Sequence, residues 1–281
     1  MKPLWIVQTS LGNSFDNQQL LDAIRRNNAI AEEVVIKPFT SDLPEYLPTI
    51  DYDGPVLLSG STSFCDNAVK HRPNWYPGIF STIDFFNYAV WVEHWEEFLL
   101  NSSRTTWVLP IKDIPEVMSS SKTIQEYLTE LFVRPFNDSK SIVGEVYTYD
   151  KLKSFYNDVM EGKLFGLTGD TKVVLGIPFK ITNEWRLFVA DGQVVTGSQY
   201  RRRGYPYKSA IVPDNVLDFG EKVILNHNPC SMFTLDVCES NGYLYLLEVQ
   251  GFNGAGWYAA DLDLLVQAAN KEALKLWNQK Q

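Results

Sequence analysis

Between Phe233 and Asp261 the chain reads FTLDVCESNGYLYLLEVQGFNGAGWYAAD, and no other stretch constrains the fold as much. FTLDVC is largely apolar and carries Asp236; YLYLLEV is largely apolar and carries Glu248. Between them lies Asn241-Gly242, the pair that a two-residue hairpin turn prefers because both central positions take positive φ. Two buried, paired strands are expected, each with one carboxylate. A carboxylate inside an apolar strand is costly to bury without a compensating charge. Three arrangements would meet that cost. The two acids could face each other and share one cation, as carboxylates and substrate phosphates hold Mg²⁺; they could pair with arginines; or they could lie on a solvated face.

At 281 residues, 45% of them hydrophobic and 21% charged, the chain has the composition of a globular protein with a sizeable core. The net charge of −9 argues against general nucleic-acid binding, which needs a basic surface, but leaves room for a local basic site. Cys65, Cys230 and Cys238 are odd in number and lack CxxC spacing, so neither a structural zinc nor a disulfide framework is expected. With no apolar leader at MKPLWIVQTS and no long apolar run, a cytoplasmic protein without membrane association is expected.

Strands are expected at Pro3–Val7, Glu32–Pro38 and Pro55–Leu58, with a helix over Gln18–Asn28, which makes a small parallel α/β unit. The loop Ser59–Ser63 reads first as a strand-to-helix turn; it lacks the glycine pattern of a dedicated phosphate loop. Asn74–Val117 is dense in aromatics, and its only basic residues are His94, Arg104 and Lys112, which favours core packing over base stacking. Phe85–Leu100 is expected to be one helix.

Further on, a strand at Leu131–Pro135 carries Arg134, a polar loop Asn137–Gly144 carries Lys140, and a helix follows over Asp150–Met160. Strands are expected at Lys172–Phe179, Glu184–Ala190 and Gln193–Gln199, the last two joined at Asp191-Gly192. Alternation along NEWRLFVA puts Glu184 and Arg186 on one face, and Tyr200–Gly204 concentrates three arginines just after the third strand. Arginine forks suit phosphates and carboxylates; a solvated turn accounts for the same run.

In their order and spacing, LFVRPFNDSKSIVGEV, ITNEWRLFVADGQVVTGSQYRRRG and FTLDVCESNGYLYLLEVQGFNGAGWYAAD resemble the ATP-grasp superfamily of carboxylate ligases. The resemblance is closest to the clade named for two arginines and one lysine and covers about residues 130–265. It implies an α/β (α+β) architecture: a small parallel α/β domain at 1–85, then an ATP-grasp domain at 86–281. The latter would divide into a lid-type subdomain at about 105–175 and a metal-binding subdomain at about 176–281. It implies ATP and Mg²⁺ as cofactors. Arg134 and the loop residue Lys140 would contact phosphates, the strand from Lys172 would lie along adenine, and Glu184 would contact the nucleotide. Arg186 and Arg201 would be the phosphate- or intermediate-binding arginines. Asp236 and Glu248 would hold the metal. Where the clade has Glu-x-Asn, this chain has Glu248-Val249-Gln250, so the third ligand would be Gln250 or Asn253.

The implied reaction joins a small-molecule or peptide carboxylate to an amine through an acylphosphate, with GFNGAGWY lining the acceptor pocket. Phosphoryl transfer rests on positioning and charge neutralisation, which suits a site of arginines, a lysine and two acids. Two other outcomes fit the same residues: a nucleotide-binding module without turnover, suggested by Gln250, and a phosphotransferase.

Overall fold

In this computed structural model the described residues are 1–10, 14–36, 47–120, 129–139 and 142–280. The chain divides into two compact units, Met1–Phe86 with Ile181–Gln281, and Asn87–Lys180. The fold is mixed α/β, with one parallel sheet and two antiparallel sheets among the described residues.

In the first unit, β1 (Leu4–Gln8) lies between β2 (Ile30–Val34) and β3 (Val56–Ser59), all parallel, with the short β4 (Pro77–Gly78) beyond β3. Helices α1 (Ser14–Arg26) and α2 (Thr62–His71) supply the crossovers. β1 is LWIVQ, buried along its whole length, as a parallel strand covered on both faces should be. Ser61 caps α2, its Oγ accepting from Phe64 N at 3.2 Å, so Ser59–Ser63 is the strand-to-helix turn expected of it.

The second sheet of this unit runs β11-β10-β9-β12-β13. Its central strand is β9 (Ile181–Ala190), flanked by β10 (Gln193–Arg202) with β11 (Tyr205–Ser209) on one side. On the other side stand β12 (Met232–Ser240) and β13 (Tyr243–Gly251). Tight turns join the hairpins: Asn241 and Gly242 have φ of 52° and 81°, as the Asn-Gly pair predicts. Helices α6 (Asp214–Asn226) and α7 (Leu262–Lys280) belong to the same unit. Trp5, Leu20, Ile24, Phe188, Phe252 and Leu265 belong to one core cluster, so both sheets and α7 share a hydrophobic interior. Arg26 and Asp263 tie α1 to α7 at 3.0 Å.

The second unit holds an antiparallel sheet ordered β5 (Thr106–Pro110), β8 (Lys172–Gly176), β6 (Glu130–Pro135), β7 (Glu145–Thr148). α3 (Tyr88–Trp95), α4 (Ile114–Ser120) and α5 (Tyr149–Met160) belong to the same unit. Two elements are shorter than their sequence patterns suggest. The helix expected over Phe85–Leu100 spans only Tyr88–Trp95, because the Asn87 side chain caps Ala89 N and Val90 N, and tight i→i+3 bonds follow Trp95. The strand expected to reach Phe179 ends at Gly176, just ahead of Pro178, which has no N–H to give a ladder. Tyr88, Trp91 and Trp95 are buried, as core packing of the aromatic segment requires. Lys140 lies outside the described residues. Among the described residues no helix is long and apolar enough to cross a membrane.

Candidate functional site

Pairing across the second sheet of the first unit builds a rung from four strands: Ser198 lies opposite Arg186, Arg186 opposite Asp236, and Asp236 opposite Glu248. A β-bulge makes the last match. Counting back from the Asn-Gly turn, Ser240 meets Tyr243, Glu239 meets Leu244, Cys238 meets Tyr245 and Val237 meets Leu246. A regular ladder would then set Asp236 against Leu247. The register shifts between Asp236 and Val237, and Asp236 meets Glu248 instead. Bulges recur beside active sites because they re-aim side chains in this way.

Asp236 is buried and held by a two-pronged ion pair. Arg186 Nε donates to Oδ1 and Nη2 to Oδ2, each at 2.7 Å. Tyr200 Oη at 3.3 Å and Gln250 Nε2 at 3.2 Å also donate to Oδ2. Of the three arrangements open to a buried carboxylate, pairing with arginine is the one seen at Asp236. Burial opposes the Arg186 charge, but Asp236 outweighs it and holds the guanidinium above its ordinary pKa. Bidentate Arg–carboxylate geometry of this kind is both strong and directional.

Around this pair stand two tyrosines that the strand pattern did not single out. The β9–β10 register shifts between Gln199 and Arg201, so Tyr200 is the bulged residue and turns its hydroxyl toward the pair. Tyr258 stacks on it with ring centroids 4.8 Å apart and planes 16° apart. The Arg186 guanidinium carbon lies 5.7 Å from the Tyr200 ring and 5.3 Å from the Tyr258 ring. Arg186 also donates to Gly256 O at 3.4 Å, which links the rung to the glycine-rich loop after β13. Burial, then Asp236 and Glu184, push the Tyr200 hydroxyl well above its ordinary pKa, so it serves as a donor at neutral pH. Nothing in the alternation of residues announces either tyrosine; a bulge and a loop place them.

Glu184, two residues before Arg186, is buried beside Tyr200 and takes Arg201 Nη1 at 3.4 Å, while Arg201 itself is half-exposed. Burial raises the Glu184 carboxyl above its ordinary pKa against the opposing pull of Tyr200 and Arg201. Thus Glu184, Arg186, Arg201, Asp236, Glu248 and Gln250 come together on neighbouring strands of one sheet. Asn253 does something different. Its Nδ2 donates to Leu58 O at 2.7 Å and its Oδ1 accepts from Phe80 N at 3.0 Å, which fastens the loop to the parallel sheet. A Cβ at Gly254 would come within 2.7 Å of Thr62 Cγ2 and 3.3 Å of its backbone N, so the close seating of this loop depends on glycine. Residues Asn253–Tyr258 line a cavity of about 280 Å³.

In the second unit, Arg134 is buried on β6 with its guanidinium 4.3 Å from the Trp91 ring. Lys172, at the start of the neighbouring β8, lies 5.4 Å from the Phe136 ring and lines a cavity of about 320 Å³.

Asp236, Glu248 and the Gln250 amide oxygen offer oxygen donors, which suit Mg²⁺ rather than a softer metal. Among the described residues there is no cluster of three or more acids, histidines or cysteines preformed to hold a metal. The residues fit an ion that protein carboxylates share with phosphate oxygens, with Arg186 as the resident counter-charge. The thiols are free, and burial pushes that of Cys230 up to about 12, which leaves it inert as a nucleophile.

A model of the ATP-grasp domain, R2K clade family 2, matches residues 102–268. Among the curated proteins no sequence matches significantly. Among solved structures, D-alanine–D-alanine ligase from Bacillus anthracis superposes with a TM-score of 0.62 at 15% identity, covering 100% of both chains. The same enzyme complexed with ATP gives 0.58 at 17%, again over 100% of both chains. D-cycloserine synthetase DcsG gives 0.59 at 12%, over 96% of this chain and 99% of that one. The ATP-grasp ligase PsnB, with a phosphomimetic precursor variant, Mg and ADP, gives 0.56 at 10%, over 96% and 98%. At these identities the likeness shows the fold.

Proposed function

We propose, from the premise that this chain belongs to the ATP-grasp domains of R2K clade family 2, that it is an ATP- and Mg²⁺-dependent ligase joining a carboxylate to an amine. ATP-grasp enzymes use ATP and Mg²⁺. The observation that carries the reading is the rung Arg186–Asp236–Glu248, an arginine and two acids, the second acid brought into register by a bulge. ATP would supply a phosphoryl group that activates the substrate carboxylate as an acylphosphate, and Mg²⁺ would supply neutralising charge.

The chain's own groups have defined parts in this scheme. Asp236 and Glu248 would hold the metal, with Gln250 turning its amide oxygen toward it; Asn253 would anchor the loop. Arg186 already sits in the acid cluster and would stabilise negative charge developing on phosphoryl oxygens, positioned by Asp236 and the two tyrosines. Such preorganised cations are effective because they do not reorganise during the reaction. Arg201 would add charge from the rim, and Glu184 would contact the nucleotide. From the second unit, Arg134 and Lys140 would bind phosphates, and the strand from Lys172 would lie along the adenine. The 1–85 segment would be the pre-ATP-grasp domain, and residues 86–281 the ATP-grasp domain with a lid-type and a metal-binding part. The carboxylate is taken to be a small molecule or a peptide, and the working compartment the cytoplasm.

Purified protein given Mg²⁺, ATP and a pool of carboxylates and amines should release ADP and phosphate rather than AMP and pyrophosphate. Glu248→Gln should cut that rate by more than about 100-fold while the fold survives, since Glu248 is only half-buried. Normal turnover in Glu248→Gln would remove the metal assignment. Tight MgATP binding without turnover would favour the binding-module alternative, for which Gln250 in place of the clade's Asn is the supporting observation. A stable phosphorylated product in place of an amide would favour a phosphotransferase.

A further inference from the structure

Five non-glycine residues among the described ones have left-handed φ, and three of them are Asn28, Asp191 and Asn241, side chains that tolerate it. Tyr258, at 53°, is the aromatic one. It follows Trp257 in a tight turn closed by Ala260 N, which donates to Trp257 O at 2.9 Å. A turn with positive φ at its second residue is normally given to Gly, Asn or Asp, so a tyrosine there holds its backbone under strain. The surroundings keep it in place. Ala259 N donates to Ser198 Oγ at 3.1 Å and Asp261 N to Thr196 Oγ1 at 3.0 Å, both on β10. Ala260 belongs to the core cluster and Trp257 packs against it. Strain of this kind collects where the side chain is used.

The ring of Tyr258 reaches the part of Arg186 that Asp236 does not hold. Nε and Nη2 form the fork to Asp236, which leaves Nη1, and the contact of Nη1 with Gly256 O is long at 3.4 Å. A Cβ built on Gly256 would lie 3.7 Å from Tyr258 Cζ and 3.9 Å from Arg186 Nη1, so ring and nitrogen converge on this glycine. A two-pronged ion pair fixes a guanidinium along the line joining the two groups but leaves it able to tilt about that line. A ring beside it blocks the tilt. The guanidinium carbon stands 5.3 Å from the Tyr258 ring, which is itself braced by its stack on Tyr200. We infer that Tyr258 is a positioning residue: its ring holds Arg186 against tilting, with Nη1 left for an anionic oxygen of the substrate, and the strained turn exists to place that ring. This deepens the ligase reading and rests on it for the charge that Nη1 would meet; the contact between ring and guanidinium stands without it.

Tyr258→Phe, Tyr258→Ala and Tyr258→Gly in the full-length chain separate the ring from the backbone. Phe has both ring and strain, Ala has the strain alone, and Gly has neither. The first readout is the Nε–H resonance of Arg186 in protein carrying isotope-labelled arginine, identified by its through-space contacts to the Tyr200 ring. Ring currents make that resonance sensitive to both tyrosines. It should hold its position in Tyr258→Phe and move to a common new one in the other two variants. The second readout is thermal denaturation. Tyr258→Gly should melt about 2 °C or more above Tyr258→Ala, against the usual ranking of glycine below alanine. The third is steady-state ADP release. In Tyr258→Ala and Tyr258→Gly kcat should fall about tenfold or more with the KM for ATP within about twofold, and Tyr258→Phe should restore most of the rate. An unmoved resonance in Tyr258→Gly, a Tyr258→Ala chain that melts at or above Tyr258→Gly, or a Tyr258→Phe chain as slow as Tyr258→Gly would overturn the inference. If the parent chain releases no ADP with any carboxylate and amine, the ligase reading fails, and the resonance and melting temperatures still decide this one.

Discussion

Two hairpins stand on either side of β9 in the same sheet. They share a turn and almost nothing else. Asn241-Gly242 and Arg203-Gly204 have nearly the same dihedrals, φ of 52° and 81° against 51° and 81°. The first turn joins β12, nearly all buried, to β13 and brings two acids into one rung. The second joins β10 to β11, nearly all exposed, and leaves Arg202, Tyr205 and Tyr207 in solvent. A turn is a local contract between two residues, whereas the role of a hairpin follows from what covers it. β12 lies between β9 and β13 over a shared core, so a charge there must be matched inside the protein. β11 is an edge strand, and its one charge, Lys208, is half-exposed and meets Asp16 at the surface, so water shares in matching it.

The sharpest way to break this contrast is to remove the matching charge on the buried side. Asp236→Asn leaves Arg186 buried with its fork unfilled, and should cost about 3–5 kcal/mol of unfolding free energy in a denaturant titration. Replacing both partners with apolar residues of similar size should recover most of that loss, because neither charge is then stranded. If Asp236→Asn were as stable as the parent, water or another acid would have to reach Arg186, and the rung would not be the closed unit described above.

A smaller effect tests the neighbouring acid. Burial raises the Glu184 carboxyl in the folded chain, so the folded state holds that proton more tightly than the unfolded one. Its contribution is fully present below the ordinary carboxylate range and is lost as pH rises through the raised value. Glu184→Gln should therefore flatten the acid side of the stability profile, its advantage over the parent growing as the medium moves from acid toward neutral. A parent and variant whose melting temperatures run parallel from pH 4 to pH 8 would show that Arg201 and Tyr200 fully offset the burial.

Much of this was legible in the chain itself. Asn241-Gly242 announced the turn, and a carboxylate in each apolar strand announced a charge to be explained. Alternation along β9 correctly put Glu184 and Arg186 on one face. The partner of each acid was not legible. Strict two-residue periodicity sets Asp236 against Leu247, and only the bulge brings Glu248 opposite it. A bulge reflects local backbone relaxation that side-chain patterning does not record. Tyr200 is hidden for the same reason, and Tyr258 because its loop has no period at all. Asn253 was legible as a polar residue just after Glu248-Val249-Gln250, yet its amide is occupied by Leu58 and Phe80, two contacts between residues far apart in sequence.

The turns offer a comparison in which the two hairpins should behave alike. A Cβ built on Gly242 or on Gly204 meets nothing within 4 Å, so alanine at either place pays only for the left-handed backbone. Gly242→Ala and Gly204→Ala should each cost about 1–2 kcal/mol, and by similar amounts despite the difference in burial along the strands. A much larger loss at Gly242 would mean that the turn sets the register of the acid rung, and that the strain spreads past the bulge into the site.

The smallest expected effect lies at the exposed hairpin. Arg202, at the end of β10, rests at 5.6 Å over the ring of Tyr207 on the edge strand β11, which has water on its outer side. Exposed cation–π contacts contribute about 0.5–1 kcal/mol at most, and surface substitutions commonly stay within about 0.5 kcal/mol. Arg202→Ser should thus shift the denaturation midpoint barely above error, at every protein concentration. The concentration series gives the measurement its force. A loss that appears only when the protein is concentrated would mean that a second copy covers β11, and the edge strand would then be covered by protein, as β12 is.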